Sequence, residues 1–178
     1  MASLIILEGP KYSGKTWVHH QLQSKGFADL SIKYSEVGAK FAQDRECSDK
    51  DTSFMLGSCV MIAEIYSLGI NVAGDRGFLS TCFYHRQEVK GLYFDLWINA
   101  VKKWDRKRIY ILDSPDYEEE SRRINQRNNC SEDSMYSYYY RQEEKEFFRN
   151  LKKVFLEDSL FFFGDSYQVW DNICRDLL

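Results

Sequence analysis

The sequence has no excess of positive charge, no long apolar run, no paired cysteines and no linker. Its 24 lysines and arginines are outnumbered by 27 aspartates and glutamates, a formal net charge of -3. No global positive field advertises a nucleic-acid partner, although a local basic cleft is still allowed. No stretch approaches the roughly 18 apolar residues of a spanning helix, so no membrane span is expected. Met1-Ala2-Ser3 puts no basic region ahead of the first apolar run, and that run is too short for a signal peptide. The five cysteines, Cys47, Cys59, Cys82, Cys130 and Cys174, are scattered, odd in number and without paired metal spacing. Reduced thiols and a cytoplasmic location are the expectation. No linker and no internal repeat divides the 178 residues, so one domain over 1–178 is expected, with at most a small lid inserted in it.

What is present is a core-forming composition, 44% hydrophobic, and one specific motif. Leu4-Ile5-Ile6-Leu7 is an apolar run fit for a buried strand. It leads into Glu8-Gly9-Pro10-Lys11-Tyr12-Ser13-Gly14-Lys15-Thr16, the complete phosphate-binding loop pattern Gly-x-x-x-x-Gly-Lys-Thr. Gly9 and Gly14 permit a tight turn whose backbone N–H groups face phosphate oxygens. Lys15 supplies a positive charge. Thr16 supplies a hydroxyl for Mg²⁺ and opens a helix whose N-terminal dipole favours the same anion. The expected ligand is ATP or GTP, held by Gly9, Pro10, Lys11, Tyr12, Ser13, Gly14, Lys15 and Thr16.

Further along, strand and helix patterns alternate. A first helix is expected over Thr16–Ser24, with Trp17 and Leu22 facing the sheet and His19 and His20 at the surface or half-buried. Later strands are expected at Leu30–Tyr34, Ile70–Ala73, Arg108–Asp113 and Leu160–Phe163. Between them, helices are expected over Ser53–Leu68, Ser80–Arg86, Leu92–Trp104, Glu118–Gln126 and Met135–Val154, with Leu92, Trp97, Ile98 and Val101 available for packing. A last helix follows Gly164-Asp165. Five strands alternating with helices argue for an α/β protein with a mostly parallel sheet covered on both faces. Strand C-termini in such a sheet face the ligand crevice, which places Asp75 and Arg76 on the same edge as the phosphate loop.

Three segments together carry a resemblance. Leu7-Glu8-Gly9-Pro10 runs into Gly14-Lys15-Thr16; Gly74-Asp75-Arg76-Gly77-Phe78-Leu79-Ser80-Thr81 is followed by Tyr84; and Leu112-Asp113-Ser114-Pro115 precedes Arg123-Ile124-Asn125-Gln126-Arg127 and Glu132. In this order the sequence resembles the thymidylate kinase and deoxynucleoside kinase group of P-loop kinases. The resemblance implies a three-layer nucleotide kinase fold, with a five-stranded mostly parallel sheet and a short arginine-bearing lid at about 122–140. It implies Arg76 on the acceptor or its phosphate, Asp75 beside the metal and the reacting oxygens, Arg123 and Arg127 as lid arginines, and Glu36 as a carboxylate near the acceptor. Metal ligation would fall to Thr16 and Asp75, with ATP and Mg²⁺ as cofactors. Related kinases are often homodimers, so a dimer is expected.

The sequence also departs from that group. No basic residue stands between Asp51 and Leu68, where thymidylate kinases carry an arginine and deoxynucleoside kinases a base-reading glutamine that is absent as well. Position 129 is Asn rather than a lid arginine, and position 77 is Gly rather than aromatic. The combination Gly74-Asp75-Arg76, Ser80 and Tyr84 resembles the monophosphate-kinase version more closely, which implies phosphoryl transfer from ATP to a deoxynucleoside monophosphate, dTMP first. Alternatives are a deoxynucleoside kinase, a kinase of nucleic-acid ends or modified bases, and a non-catalytic nucleotide-binding module.

Overall fold

The structure is a computed structural model. It describes residues 2–30, 62, 65–84, 86, 88–126 and 135–177, with side chains from 138 onward in the last stretch. Glu36, Arg127 and Glu132 lie outside the described residues, as does most of the expected Ser53–Leu68 helix.

Strand β1 (Ser3–Glu8) is buried over its whole length, and its alternating side chains supply two cores. Leu4 and Ile6 enter one cluster; Ile5 and Leu7 enter the other. Strand β4 (Arg106–Leu112) repeats this division, with Ile109 and Ile111 on the first face and Tyr110 and Leu112 on the second. Period-two alternation of apolar residues without a polar face is what a sheet covered on both sides requires. Strands β2 (Ala28–Asp29), β3 (Val72–Asp75) and β5 (Phe161–Gly164) complete the sheet, ordered β2-β3-β1-β4-β5 with every neighbouring pair parallel.

Helices α2 (Phe78–Tyr84), α3 (Leu92–Lys102) and α5 (Met135–Phe155) cover the first face through Phe78, Leu79, Cys82, Trp97, Val101, Phe148 and Leu151. Helices α1 (Lys15–Ser24) and α6 (Ser166–Asp176) cover the second through Val18, Leu22, Val169 and Ile173. Helix α4 (Tyr117–Gln126) follows β4, and its buried Glu120 binds Lys145 of α5. No helix among the described residues is long and apolar enough to cross a membrane.

The structure corrects several details. A short strand, Ala28–Asp29, precedes the expected Leu30–Tyr34 strand, whose residues 31–34 lie outside the described residues, and the Leu30 N–H donates to Ala73 O at 2.8 Å. The third starts at Val72, opposite Leu4, so Gly74 and Asp75 belong to the strand while Ile70 stays 42% exposed. Trp17 does not face the sheet; it is 39% exposed and meets Tyr167 and Trp170 of α6. Leu92 opens its helix at the surface. His19 is buried, with Nε2 3.1 Å from Ala73 O and 3.2 Å from Asp29 Oδ1.

Trp97 is fully buried and stacks on Phe78 at 5.2 Å between centroids. Trp97→Ala is expected to lower stability by about 3–5 kcal/mol, read by urea denaturation. A loss under about 1 kcal/mol, the range of surface substitutions, would contradict this packing.

Candidate active site

The strand register sets the site. Leu7 pairs with Asp75, Glu8 with Ile111, and Leu112 with Gly164, so the C-terminal ends of four strands share one edge. The phosphate loop leaves β1 at this edge. Gly9 has φ of 134°, and a Cβ there would lie 2.6 Å from Leu112 O. Gly14 has φ of 95°, and its Cβ would lie 2.7 Å from Ser166 Cβ. At both positions backbone conformation and close approach each demand glycine.

Lys15 folds into the loop. Its Nζ donates to Gly9 O (2.7 Å) and Pro10 O (2.6 Å) and lies 3.1 Å from Ser13 Oγ. Burial, with the nearby Arg76 guanidinium, lowers its pKa to about 7. The Thr16 hydroxyl donates to Asp75 Oδ2 at 3.1 Å, which brings two hard oxygen donors together beside the loop. Hydroxyl and carboxylate oxygens are the donors Mg²⁺ takes when most of its other positions go to phosphate and water. The donor set therefore fits that ion. Among the described residues no group of three or more His, Cys, Asp or Glu forms a further metal cluster.

Arg76 follows β3 in the left-handed region, φ 79°, with its N–H donating to Leu7 O at 2.8 Å. Its Nη1 donates to Glu144 Oε1 (3.2 Å) and Ser80 Oγ (3.4 Å), and its guanidinium lies 5.2 Å from the centroid of the Tyr84 ring. Tyr84 also donates its hydroxyl to Glu144 Oε1 at 3.1 Å. Burial pushes the Tyr84 pKa upward, keeping the phenol a donor. The second oxygen, Glu144 Oε2, accepts the Lys11 N–H of the phosphate loop at 2.8 Å. On the far side of Ser80 stands Glu8, fully buried, accepting from the Leu79 N–H (2.9 Å), the Ser80 N–H (3.1 Å) and the Ser80 hydroxyl (2.5 Å). Burial raises the Glu8 pKa, against the Ser80 bond and the Arg76 charge, which favour the anion.

Arg123 reaches over the loop from α4 and donates through Nη1 to Tyr12 O, while its Nε donates to Glu119 Oε1 at 2.6 Å. Arg122, one residue back, turns outward and pairs with Glu119. Bonds from Arg122 and Arg123 hold the Glu119 carboxyl down at about 2.

Lys15, Thr16, Asp75, Arg76 and Arg123 are thus gathered at one edge. Sequence reasoning missed the two buried carboxylates that organise them. A signal for each was present: Glu8 ends an unbroken apolar strand, and Glu144 shares a helix face with Tyr140, Phe147, Phe148 and Leu151. Phe78, in the same segment as Asp75 and Arg76, packs in the core against Trp97.

Lys15 generates a proton-linked prediction. A polyphosphate in the loop favours the ammonium, so binding raises the lysine pKa from its low value. Proton uptake of up to about one is expected at about pH 8, and affinity falls as pH rises from about 7 towards the ordinary lysine value. Calorimetric titration with ATP in buffers of different ionisation enthalpy measures this. Equal uptake in Lys15→Ala would refute the assignment.

No protein-family model matches the chain, and no curated protein does either. Solved structures do. A deoxyadenosine kinase from M. mycoides with bound dCTP aligns at TM-score 0.59 and 18% identity over 98% of each chain. The same kinase with bound dATP aligns at 0.61 and 16% over 98% of each. With the products dCMP and a flexible dCDP it aligns at 0.61 and 16% over 92% of this chain and 91% of that one. At such identities the likeness is one of architecture: the chain has the α/β P-loop fold of these deoxyadenosine kinases.

Proposed function

We propose that this protein is a deoxynucleoside kinase that transfers the γ-phosphoryl group of ATP to the hydroxyl of a deoxynucleoside. The observation that carries the reading is the pairing of Arg76 with a buried carboxylate, Glu144, directly across from the phosphate loop. A phosphomonoester acceptor needs uncompensated positive charge. Here the arginine beside the acceptor space is already matched by Glu144, with Asp75 and Glu8 close by. A neutral hydroxyl acceptor suits that balance better than dTMP does. The fold shared with deoxyadenosine kinases supports the same choice.

In this reading Lys15 leaves the Gly9 and Pro10 carbonyls to meet the donor phosphates. Arg123, already over the loop at Tyr12, stabilises charge on the transferring group. Such positioned cations provide most of the catalysis in phosphoryl transfer. Thr16 and Asp75 would hold Mg²⁺, which would neutralise charge on the donor phosphates. The acceptor oxygen forms the new bond to phosphorus as the bond to the bridging oxygen breaks. ADP leaves, and the hydroxyl proton passes to a carboxylate, Asp75 or Glu36. Arg76 orients the acceptor, and Arg127 would share the role of Arg123 on the transferring group. The resemblance of Asp75-Arg76, Ser80 and Tyr84 to the monophosphate-kinase version supports a second reading, a monophosphate kinase acting on dTMP.

ADP release with ATP and Mg²⁺ is measured across deoxynucleosides and deoxynucleoside monophosphates. Turnover with a deoxynucleoside and none with dTMP is the expected result. Turnover with dTMP alone would replace it with the second reading, and saturable ATP binding without acceptor-dependent release would make the protein a nucleotide-binding module. In the active assay, Lys15→Ala is expected to cost about 3–4 kcal/mol of transition-state stabilisation. Arg76→Ala should raise the acceptor KM and lower kcat while ATP affinity holds; loss of ATP binding instead would reverse the placement of donor and acceptor.

A further inference from the structure

Glu144 makes bonds that span the cleft. Its side chain is 1% exposed and lies on α5, which follows the lid segment in the chain. Oε2 holds a backbone N–H of the phosphate loop, Lys11; Oε1 holds the Arg76 guanidinium and the Tyr84 hydroxyl. These partners come from three places: the loop after β1, the turn after β3, and α2. A buried carboxylate with three donors stays in place, since losing any of them leaves charge unsatisfied. Nearby bonds anchor α5 itself, with Lys145 on Glu120 of α4 and Lys152 3.2 Å from Asp113 at the end of β4.

We propose that Glu144 is a positioning residue that fixes the separation between the phosphate loop and the acceptor arginine Arg76, and thereby the approach of acceptor to donor. Both oxygens are occupied by protein donors, so it acts through Lys11, Arg76 and Tyr84. The proposal rests on the kinase reading for its effect on turnover, while the tie itself is measurable without turnover. In-line transfer depends steeply on this separation: a misplacement of about 1 Å can cost on the order of a hundredfold in rate. Removing the tie therefore lowers kcat more than either ground-state affinity.

The test uses Glu144→Gln in the full chain. The amide keeps the shape but offers one acceptor oxygen in place of two, so either the Lys11 bond or the Arg76 side is lost. Three readouts are compared with the unsubstituted protein: hydrogen exchange of the loop peptide containing Lys11, the rate of Arg76 modification by phenylglyoxal, and steady-state kinetics with ATP and a deoxynucleoside. Expected are faster exchange or faster modification and a kcat lowered by about tenfold to a hundredfold, with both KM values within about threefold. In an Arg76→Ala background Glu144→Gln should add little, because the residues act as one unit. A folded Glu144→Gln protein with unchanged exchange and modification rates overturns the proposal, as does a fully additive double variant. Faster exchange or modification in a protein inactive on every acceptor would leave the tie standing and remove the kinase reading instead. If Glu144→Gln does not fold, Tyr84→Phe decides: it removes one donor from the same oxygen and spares the ion pair. It should show the same signature at smaller amplitude, and unchanged Arg76 modification there refutes the tie.

Discussion

A carboxylate without access to water ends the central strand, and the Arg76 side of the cleft depends on how that charge is accommodated. Burying an ion costs several kcal/mol unless its lone pairs are satisfied. Glu8 is satisfied by the first turn of α2, through two N–H groups and the Ser80 hydroxyl. These bonds fix where α2 begins relative to β1. The chain between β3 and α2 is then confined: a Cβ on Gly77 would lie 3.0 Å from Glu8 Oε1 and 3.0 Å from Ile6 Cγ2. Glycine fits this passage, whereas the aromatic residue that thymidylate kinases prefer there would force α2 away from Glu8. Arg76, just before it, is driven into the left-handed region, a conformation costing about 1–3 kcal/mol for a residue with a Cβ. Its N–H bond to Leu7 and its side-chain bonds to Glu144 and Ser80 oppose that cost. The strain points the guanidinium across the cleft towards α5.

Much of this architecture was legible because it follows from local rules. The apolar alternation in β1 and β4 specified a sheet covered on both faces, and the Gly9–Thr16 pattern specified a turn that few other sequences make. Strand limits were less legible, since ladder pairing sets them. Val72 begins β3 because Leu4 stands opposite, and no property of Ile70 marks it as lying outside. Trp17 was misread because apolar character alone does not say which neighbour covers it; α6, distant in sequence, provides Tyr167 and Trp170. Glu8 and Glu144 were missed for a related reason. A buried carboxylate is identified by its donors, and those donors lie 71 and 72 residues from Glu8, and 60, 68 and 133 residues from Glu144.

The cations around the cleft are held with unequal strength, and in the proposed kinase this inequality would separate donor from acceptor. Lys15 rests on backbone carbonyls of the phosphate loop, and Arg123 rests on another, Tyr12 O, and on Glu119, a carboxylate still 30% exposed to water. A carbonyl is a neutral acceptor, so an incoming phosphate oxygen offers these groups a stronger, charge-assisted bond than the one they give up. The donor side therefore yields readily to an anion. Arg76 instead rests on Glu144, an ionic partner with 1% exposure. Displacing it with an acceptor phosphate would leave a carboxylate buried without its counter-ion, a loss of about 3–5 kcal/mol for a broken buried pair. A hydroxyl acceptor requires no such displacement, because Arg76 can orient an oxygen while keeping its bond to Glu144. One cleft can thus accept a polyanion on one side and prefer an uncharged group on the other, the division of labour that the proposed nucleoside kinase would require.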